Sequence, residues 1–476
     1  MKSEMPYWKY GATDIAKNVK MGTVSAAEIM GSVLDRIKNA DSEVNAFATV
    51  DPEAAMSKAE EVDKAVSRGD VVGPLAGVPF SVKDLVPTGG METAYGSNAF
   101  AGHVPARDAE AVARLRRAGA ILIGKTNTPE FGVKALTNNP RHGYTRNPWD
   151  LDRSPGGSSG GATAAVAMGM GPIGMTTDGA GSSRIPAAVC GVLGLKPTLG
   201  RVPSEVSAEL FSSFVNLGLA TRTVSDMASG LTAMAGPSEG DPWSIGRQET
   251  AFTVPAEPLN CLRSLRVLVF RRMGNKLLDG GVEDLMNAAL ERFREHGAIV
   301  SEGPEDIDWD KACQVTAMRS YQHARLHHLL DEYEDVLDPV LVNALKEGAS
   351  QKLLDVQSAP KRRSDLFRRV QELFEHSDVI VTPTVSAPPP HYRHNQDDPI
   401  TINGELAGPI RANWYGYTGT FNHSGHPAIS IPMGHTTDGL PAGLHVVGRW
   451  FNEQGLLDIA AACEQLAPWR DAWPDR

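Results

Sequence analysis

Hydrophobic positions along the chain switch between a helical period and short continuous runs, and the switching divides it into elements. Ser25-Ala-Ala-Glu28 forms a capping box ahead of an amphipathic stretch that predicts a helix to about Lys38. Asp51-Pro52 supplies an N-cap and a first-turn proline for a second helix. After Gly73 the pattern shortens: residues 78–83 read as a strand, 108–118 as a helix, and the apolar run 120–124 as a buried strand. Helix and strand signals keep alternating at 162–168, 172–177, 265–270, 282–296 and 298–300, which predicts an α/β protein with a largely parallel or mixed sheet. Residues 303–375 break this rhythm, being charged and helix-rich with few strand signals. A strand at 378–381, a proline-rich loop at 383–390 and a strand–strand–helix set over 427–465 follow. No repeat recurs at solenoid or propeller periods, and no Gly/Ser linker or charge run marks a boundary. The expectation is one large domain over 1–476 with a helical excursion at about 303–375.

Composition narrows the function classes. With 46 Lys+Arg against 57 Asp+Glu, the 476-residue chain carries a formal net charge of −11. That balance argues against nucleic-acid binding of the kind that rests on surplus cations. At 41% hydrophobic and 22% charged residues, the make-up is that of an ordinary globular protein. Cys190, Cys261, Cys313 and Cys463 lie far apart with no CxxC, a pattern of reduced core thiols rather than a disulfide framework or zinc site. The first 22 residues hold no apolar core of a secretory signal, and no stretch approaches the roughly 18 continuous apolar residues of a membrane span. A cytoplasmic protein with no membrane contact is expected.

The densest chemical signal is Ser154-Pro-Gly-Gly-Ser158-Ser-Gly-Gly-Ala162. Such a run is either a flexible loop or a turn whose backbone N–H groups converge, at a helix N-terminus, on negative charge. Two familiar motifs fail here on context. Gly156-Gly-Ser158-Ser-Gly160 has the spacing of a nucleophile elbow, but no buried strand precedes it. Gly169-Met-Gly171-Pro-Ile-Gly174 has the dinucleotide spacing, but it follows a helix and precedes a strand, the reverse of what that fingerprint needs. A second cluster, Asp178-Gly-Ala-Gly-Ser182-Ser-Arg184, sets three small residues before a serine. It is either a strand-ending turn or a place where backbone N–H groups approach a substrate oxygen closely. Lys83, at the end of an apolar strand, is either an exposed tip or, if buried, a general base. His323, His327 and His328 lack the glutamate of H-E-x-x-H and a third ligand, so no metal is expected there. Trp414, Tyr415, Tyr417 and Phe421 either line a pocket or fill core.

Taken together and in order, these clusters resemble the amidase signature family. The resemblance is carried by Ser81-Val-Lys83-Asp84, Gly124-Lys-Thr-Asn-Thr-Pro-Glu-Phe131, Asn147-Pro-Trp149, Pro155-Gly-Gly-Ser158-Ser-Gly-Gly161, Asp178 to Ala187 and Cys190-Gly-Val-Leu-Gly-Leu-Lys-Pro197. Gly425-His-Pro-Ala-Ile-Ser-Ile-Pro432 and Gly439-Leu-Pro-Ala-Gly-Leu-His-Val-Val-Gly448 extend it to the far end, and it is weak only between about 200 and 375. It implies a central mixed sheet covered by helices on both faces, and hydrolysis of carboxylic amide C–N bonds through a seryl acyl-enzyme. The implied roles are Ser182 as nucleophile, Ser158 as proton bridge after a cis Gly157–Ser158 peptide bond, and Lys83 as base. Backbone N–H groups of Gly179, Ala180, Gly181 and Ser182 are implied to form the oxyanion hole. No metal or organic cofactor is implied, and the common assembly would be a homodimer acting on a small-molecule amide. Trp414, Tyr415 and Phe421 are the expected substrate-pocket residues, pointing to apolar or aromatic amides, anilides, cyclic amides or carbamates. The alternative within the family is the glutaminase subunit of a tRNA-dependent amidotransferase, and Leu85, where asparagine is expected, leans away from it. The chain departs from the common pattern at Ala180, Ser183, Thr420, Trp450 and Asn452, none of which is a catalytic position.

Overall fold

The computed structural model describes residues 5–204, 209–211, 213–248 and 250–475; residues 1–4, part of the N-terminal stretch read for a secretory signal, lie outside these. In chain order the strands are β1 (Phe47–Val50), β2 (Pro79–Lys83), β3 (Ile121–Thr126), β4 (Asn138–Asn139), β5 (Gly143–Tyr144), β6 (Ile173–Asp178), β7 (Leu193–Lys196) and β8 (Asn216–Thr221). There follow β9 (Arg266–Val269), β10 (Ile299–Glu302), β11 (Val379–Pro383), β12 (Pro399–Ile402), β13 (Glu405–Pro409), β14 (Ala428–His435) and β15 (Pro441–Val447). Eleven of them form one sheet in the order β1-β3-β2-β6-β8-β7-β14-β15-β11-β9-β10, while β4–β5 and β12–β13 are separate hairpins.

The sheet is mixed: β2 runs parallel to both β3 and β6, whereas β6, β8, β7, β14 and β15 pair antiparallel in succession. Every residue of β2, β3, β6, β7, β8, β11 and β15 is buried. Because successive side chains point to opposite faces, burial of all of them means that both faces are covered. The helices that cover it include Gly160–Ala167, packed on β2, β6 and β8, and Gly280–Glu295, packed on β14 and β15. The capping box forms as read: the Glu28 N–H donates to Ser25 Oγ at 3.1 Å and the Ser25 N–H to Glu28 Oε2 at 2.9 Å, starting a helix that runs on to Val44.

Two features place the site. Parallel β2 and β6 end side by side, so Lys83 at the end of one lies against Thr177 and Asp178 at the end of the other. Crevices beyond the carboxyl ends of parallel strands are where α/β sheets bind ligands. The stretch after β10 is helical: Ala312–Leu326, Leu329–Tyr333, Pro339–Ala349 and Leu353–His376 precede β11. Among the described residues no helix is long and apolar enough to cross a membrane.

Candidate active site

Lys83 is fully buried, which settles the choice between an exposed tip and a base in favour of burial. Its Nζ lies 2.7 Å from Ser158 Oγ, 2.9 Å from Thr177 Oγ1 and 3.0 Å from Ser159 Oγ. Burial pushes the ammonium well below its ordinary pKa, and the negative charge of Asp178 opposes this only in part. Ser158 opens the turn into the Gly160–Ala167 helix, and the Gly157–Ser158 peptide bond is cis, as the resemblance implied. Small residues are required where this helix meets the sheet edge. A Cβ on Gly161 would stand 2.5 Å from the Ala46 carbonyl oxygen and from the Asn127 nitrogen. Ser182 is half-buried, and its carbonyl accepts the Ser159 N–H at 3.1 Å, which ties the two serine segments together.

The turn after β6 is built on an ion pair with no exposure to solvent. Asp178 accepts from Arg184 Nε and Nη2, both at 2.9 Å, and from Asn422 Nδ2 at 2.9 Å. Burial alone would raise the Asp178 carboxyl, but the Arg184 charge and these hydrogen bonds outweigh it and hold the group well below the usual carboxylate range. Arg184 Nη1 lies 2.9 Å from His445 Nε2. A guanidinium can only donate, so His445 accepts there and carries its proton on Nδ1, facing Thr382 Oγ1 at 3.0 Å.

Asp178 also corrects one sequence expectation. It accepts the Gly181 N–H at 2.6 Å and the Ser183 N–H at 3.1 Å, so Gly181 has no donor left for an oxyanion. Gly181 serves by its shape instead. Its φ is +117°, and a Cβ there would meet Thr418 Oγ1 at 2.2 Å. Gly179 and Ala180 do line the cleft in front of Ser182. Among the described residues no acceptor takes the N–H of Gly179, Ala180 or Ser182.

That cleft holds about 1290 Å³ of empty space out to its open mouth, with Ser158 and Ser182 both on its wall. Its aromatic walls are Tyr95, Phe131, Phe214, Trp243, Tyr321 and Tyr415. Of the three pocket residues expected from the sequence, only Tyr415 is there. Trp414 is fully buried, with its indole N–H donating to the Ala387 carbonyl at 2.8 Å, and Phe421 is fully buried against His445. The segment breaks into two short helices, Ile410–Asn413 and Gly419–His423; Trp414 caps the C-terminus of the first, Phe421 lies within the second, and each ring packs into a buried apolar cluster.

Sequence reasoning missed Thr177 as a partner of Lys83, and it missed most of the aromatic wall. Met318, Tyr321, Gln322, Arg325 and Leu326 line the cleft at helical spacing from the Ala312–Leu326 helix, but their mixed apolar, polar and charged types hide that face in the sequence. His327 and His328 are exposed. Among the described residues no group of three or more His, Cys, Asp or Glu side chains is placed to hold a metal ion.

A serine pair beside a buried lysine, on the wall of a cleft of this size, is an arrangement suited to nucleophilic catalysis. The sequence pattern of the family described as Amidase matches residues 28–457. The chain is 35% identical to an acylamidase of Rhodococcus erythropolis over 476 residues, covering 100% of this chain and 98% of that one. It is 34% identical to a glutamyl-tRNA(Gln) amidotransferase subunit of Symbiobacterium thermophilum, over 95% of this chain and 96% of the other. A solved bacterial aryl acylamidase of the amidase signature family superposes with a TM-score of 0.90 at 29% identity, over 98% of both chains. The chain belongs to the amidase family, and it is an enzyme that hydrolyses amide C–N bonds.

Proposed function

We propose that the protein hydrolyses aryl and other apolar amides on its own, with Ser182 as nucleophile, Ser158 as proton bridge and Lys83 as base. The observation that carries this is the contact between a fully buried lysine and Ser158 Oγ at 2.7 Å. A neutral amine offers two N–H groups and one lone pair. The Ser159 hydroxyl already donates to the Thr177 carbonyl at 3.2 Å, so it accepts from Lys83. With a second N–H given to Thr177, the lone pair is left for the Ser158 hydroxyl.

As Ser182 Oγ attacks the amide carbon, its proton passes to Ser158 and the Ser158 proton passes to Lys83. The carbonyl oxygen becomes an oxyanion that the free N–H groups of Gly179, Ala180 and Ser182 receive. Collapse breaks the C–N bond, and the amine leaves with the proton returned from Lys83 through Ser158. Water then attacks the Ser182 ester, giving up its proton by the same route. The carboxylic acid leaves and all three side chains are restored.

Aryl substrates are supported by the ring-lined walls and by the similarity to an aryl acylamidase. The similarity to the glutamyl-tRNA(Gln) amidotransferase chain favours glutamine as the second reading. The reading also keeps a cytoplasmic homodimer, which sedimentation velocity on the purified chain tests. The deciding experiment is amine release from glutamine, an aliphatic amide, an anilide, a cyclic amide and an aryl carbamate, with Ser182→Ala beside wild type. Turnover of the anilide, abolished in the variant together with fluorophosphonate labelling, is expected. Turnover of glutamine alone would move the assignment to the amidotransferase.

A further inference from the structure

Arg325 and Arg411 both line the cleft, and among the described residues neither has a carboxylate within ion-pair distance. Arg325 lies with its Cζ 4.9 Å from the Tyr321 ring, and its Nη1 donates to the Tyr321 hydroxyl at 3.1 Å. Arg411 lies with its Cζ 5.9 Å from the Tyr415 ring and makes no hydrogen bond among the described residues. The other cations nearby are answered. Lys134, on the same wall, is paired with Asp338, and Arg319, on the same helix as Arg325, is paired with Glu347 at 2.7 Å. Among the described residues the two carboxylates of the cleft are engaged elsewhere: Asp241 accepts the N–H groups of Ser204 and Trp243, and Glu209 accepts the Phe211 N–H.

In a chain with a net charge of −11, two unanswered guanidinium groups on one cleft are out of keeping with the surroundings. An aromatic ring under a guanidinium holds its plane and leaves the edge N–H groups free, and that fork matches a carboxylate. We propose that Arg325 and Arg411 form a subsite for a carboxylate, so that the favoured substrates are aryl amides carrying a carboxylate away from the scissile bond. This rests on the aryl-amide reading and narrows it.

The test compares 4-acetamidobenzoate with 4-nitroacetanilide, whose nitro group has the shape of a carboxylate without the charge. Anilides with the carboxylate at the 3-position, one methylene further out, or on the acyl side (succinanilic acid) extend the anionic set. Wild type, Arg325→Gln, Arg411→Gln and the double variant are assayed, so that leaving-group electronics cancel in the ratio of kcat/KM values. That ratio, for the best anionic member over the neutral one, is expected to fall about tenfold or more in the double variant, mainly through KM. The wild-type preference is expected to weaken with added salt. A change below about threefold overturns the subsite while the amidase reading stands, and so does a wild type that accepts only neutral anilides or prefers glutamine.

Should no anilide turn over, the aryl-amide reading fails first. Calorimetric binding of the same pair to Ser182→Ala then decides the subsite alone. Tighter binding of 4-acetamidobenzoate that is lost in Ser182→Ala/Arg325→Gln/Arg411→Gln supports it, and equal binding overturns it.

Discussion

Ser158 and Arg325 border the same cleft, yet the regions they come from are built on opposite terms. Around Ser158 the chain closes on itself. Lys83 touches three hydroxyls, Asp178 is surrounded by Arg184, Asn422 and two backbone N–H groups, and Arg184 is shared among Asp178, Thr418, Asn422 and His445. On the Ala312–Leu326 helix, Arg325 reaches into the cleft with the Tyr321 hydroxyl as its hydrogen-bond partner and no carboxylate partner among the described residues. A proton relay depends on each proton having one place to go, so every competing donor and acceptor must be filled. Recognition depends on donors left over for a guest. The first region should therefore be intolerant of any change, and the second should change selectivity before it changes rate or stability.

The sharpest way to break that contrast is Lys83→Met, which keeps the volume and removes the amine. A loss of about 10³-fold or more in kcat/KM is expected, since the proposed general base is gone. A comparable loss in Arg325→Gln for every substrate, neutral ones included, would erase the distinction. The lysine also sets a pH dependence. Its folded-state pKa is depressed by burial, so activity is expected to fall as pH drops through that value and the base becomes protonated. Between the folded value and the ordinary 10.5, the unfolded chain binds one proton more than the folded chain, so stability rises with pH in that window. Lys83→Met should remove that slope, as read by urea midpoints at neutral and alkaline pH.

Asp178→Asn tests the same region through stability. It leaves Arg184 as a buried, uncompensated charge, and a loss of about 3–5 kcal/mol in urea unfolding is expected. On the outer side of the helical wall, Lys361→Ala removes a partner from the exposed Lys361–Asp365 pair and should leave the midpoint unchanged.

Adjacent Trp414 and Tyr415 carry the comparison down to a single peptide. Trp414→Ala empties a core site and is expected to cost about 3–5 kcal/mol, with the ranking of amide substrates preserved among molecules that still fold. Tyr415→Ala should instead alter that ranking, because this ring lines the cleft. The pair also shows what was legible from the sequence. Lys83, Ser158, Asp178, Ser182 and Arg184 could be singled out because each lies in a short contiguous motif that resembles the amidase signature. Nothing comparable marks 414–421, where two short helices interrupt any period and neighbouring rings point to different surroundings. The wall residues 318, 321, 322, 325 and 326 do have helical spacing, but they mix apolar, polar and charged types, so they give no amphipathic signal. The fate of the Gly181 N–H was beyond the sequence for another reason: it is decided by how the Asp178 carboxylate folds back over its own turn.

A smaller change than the core substitutions bring is expected at Glu130, which stands where the two regions join. Its Oε2 accepts the N–H of Asp338 at 2.5 Å, Asp338 caps the Pro339–Ala349 helix, and the next residues, Phe131, Gly132 and Val133, line the cleft. Burial raises the Glu130 carboxyl from the ordinary 4.5 to about 7, outweighing the hydrogen bonds from Ser97 and the Asp338 N–H that favour the charged form. With the folded value above the unfolded one, the folded chain binds the extra proton between these limits, so wild-type stability falls as pH rises from about 4.5 through about 7. Glu130→Gln keeps an acceptor for the Asp338 N–H and cannot ionise. Its urea midpoint should match wild type near pH 4.5 and exceed it at pH 8, by a difference on the order of 2 kcal/mol. If the variant is instead weaker at every pH, the carboxylate charge holds the junction against Lys134. The helical wall would then be fastened to the catalytic floor by an ion network, and the division between a closed region and an open one would lie further out along the Ala312–Leu326 helix.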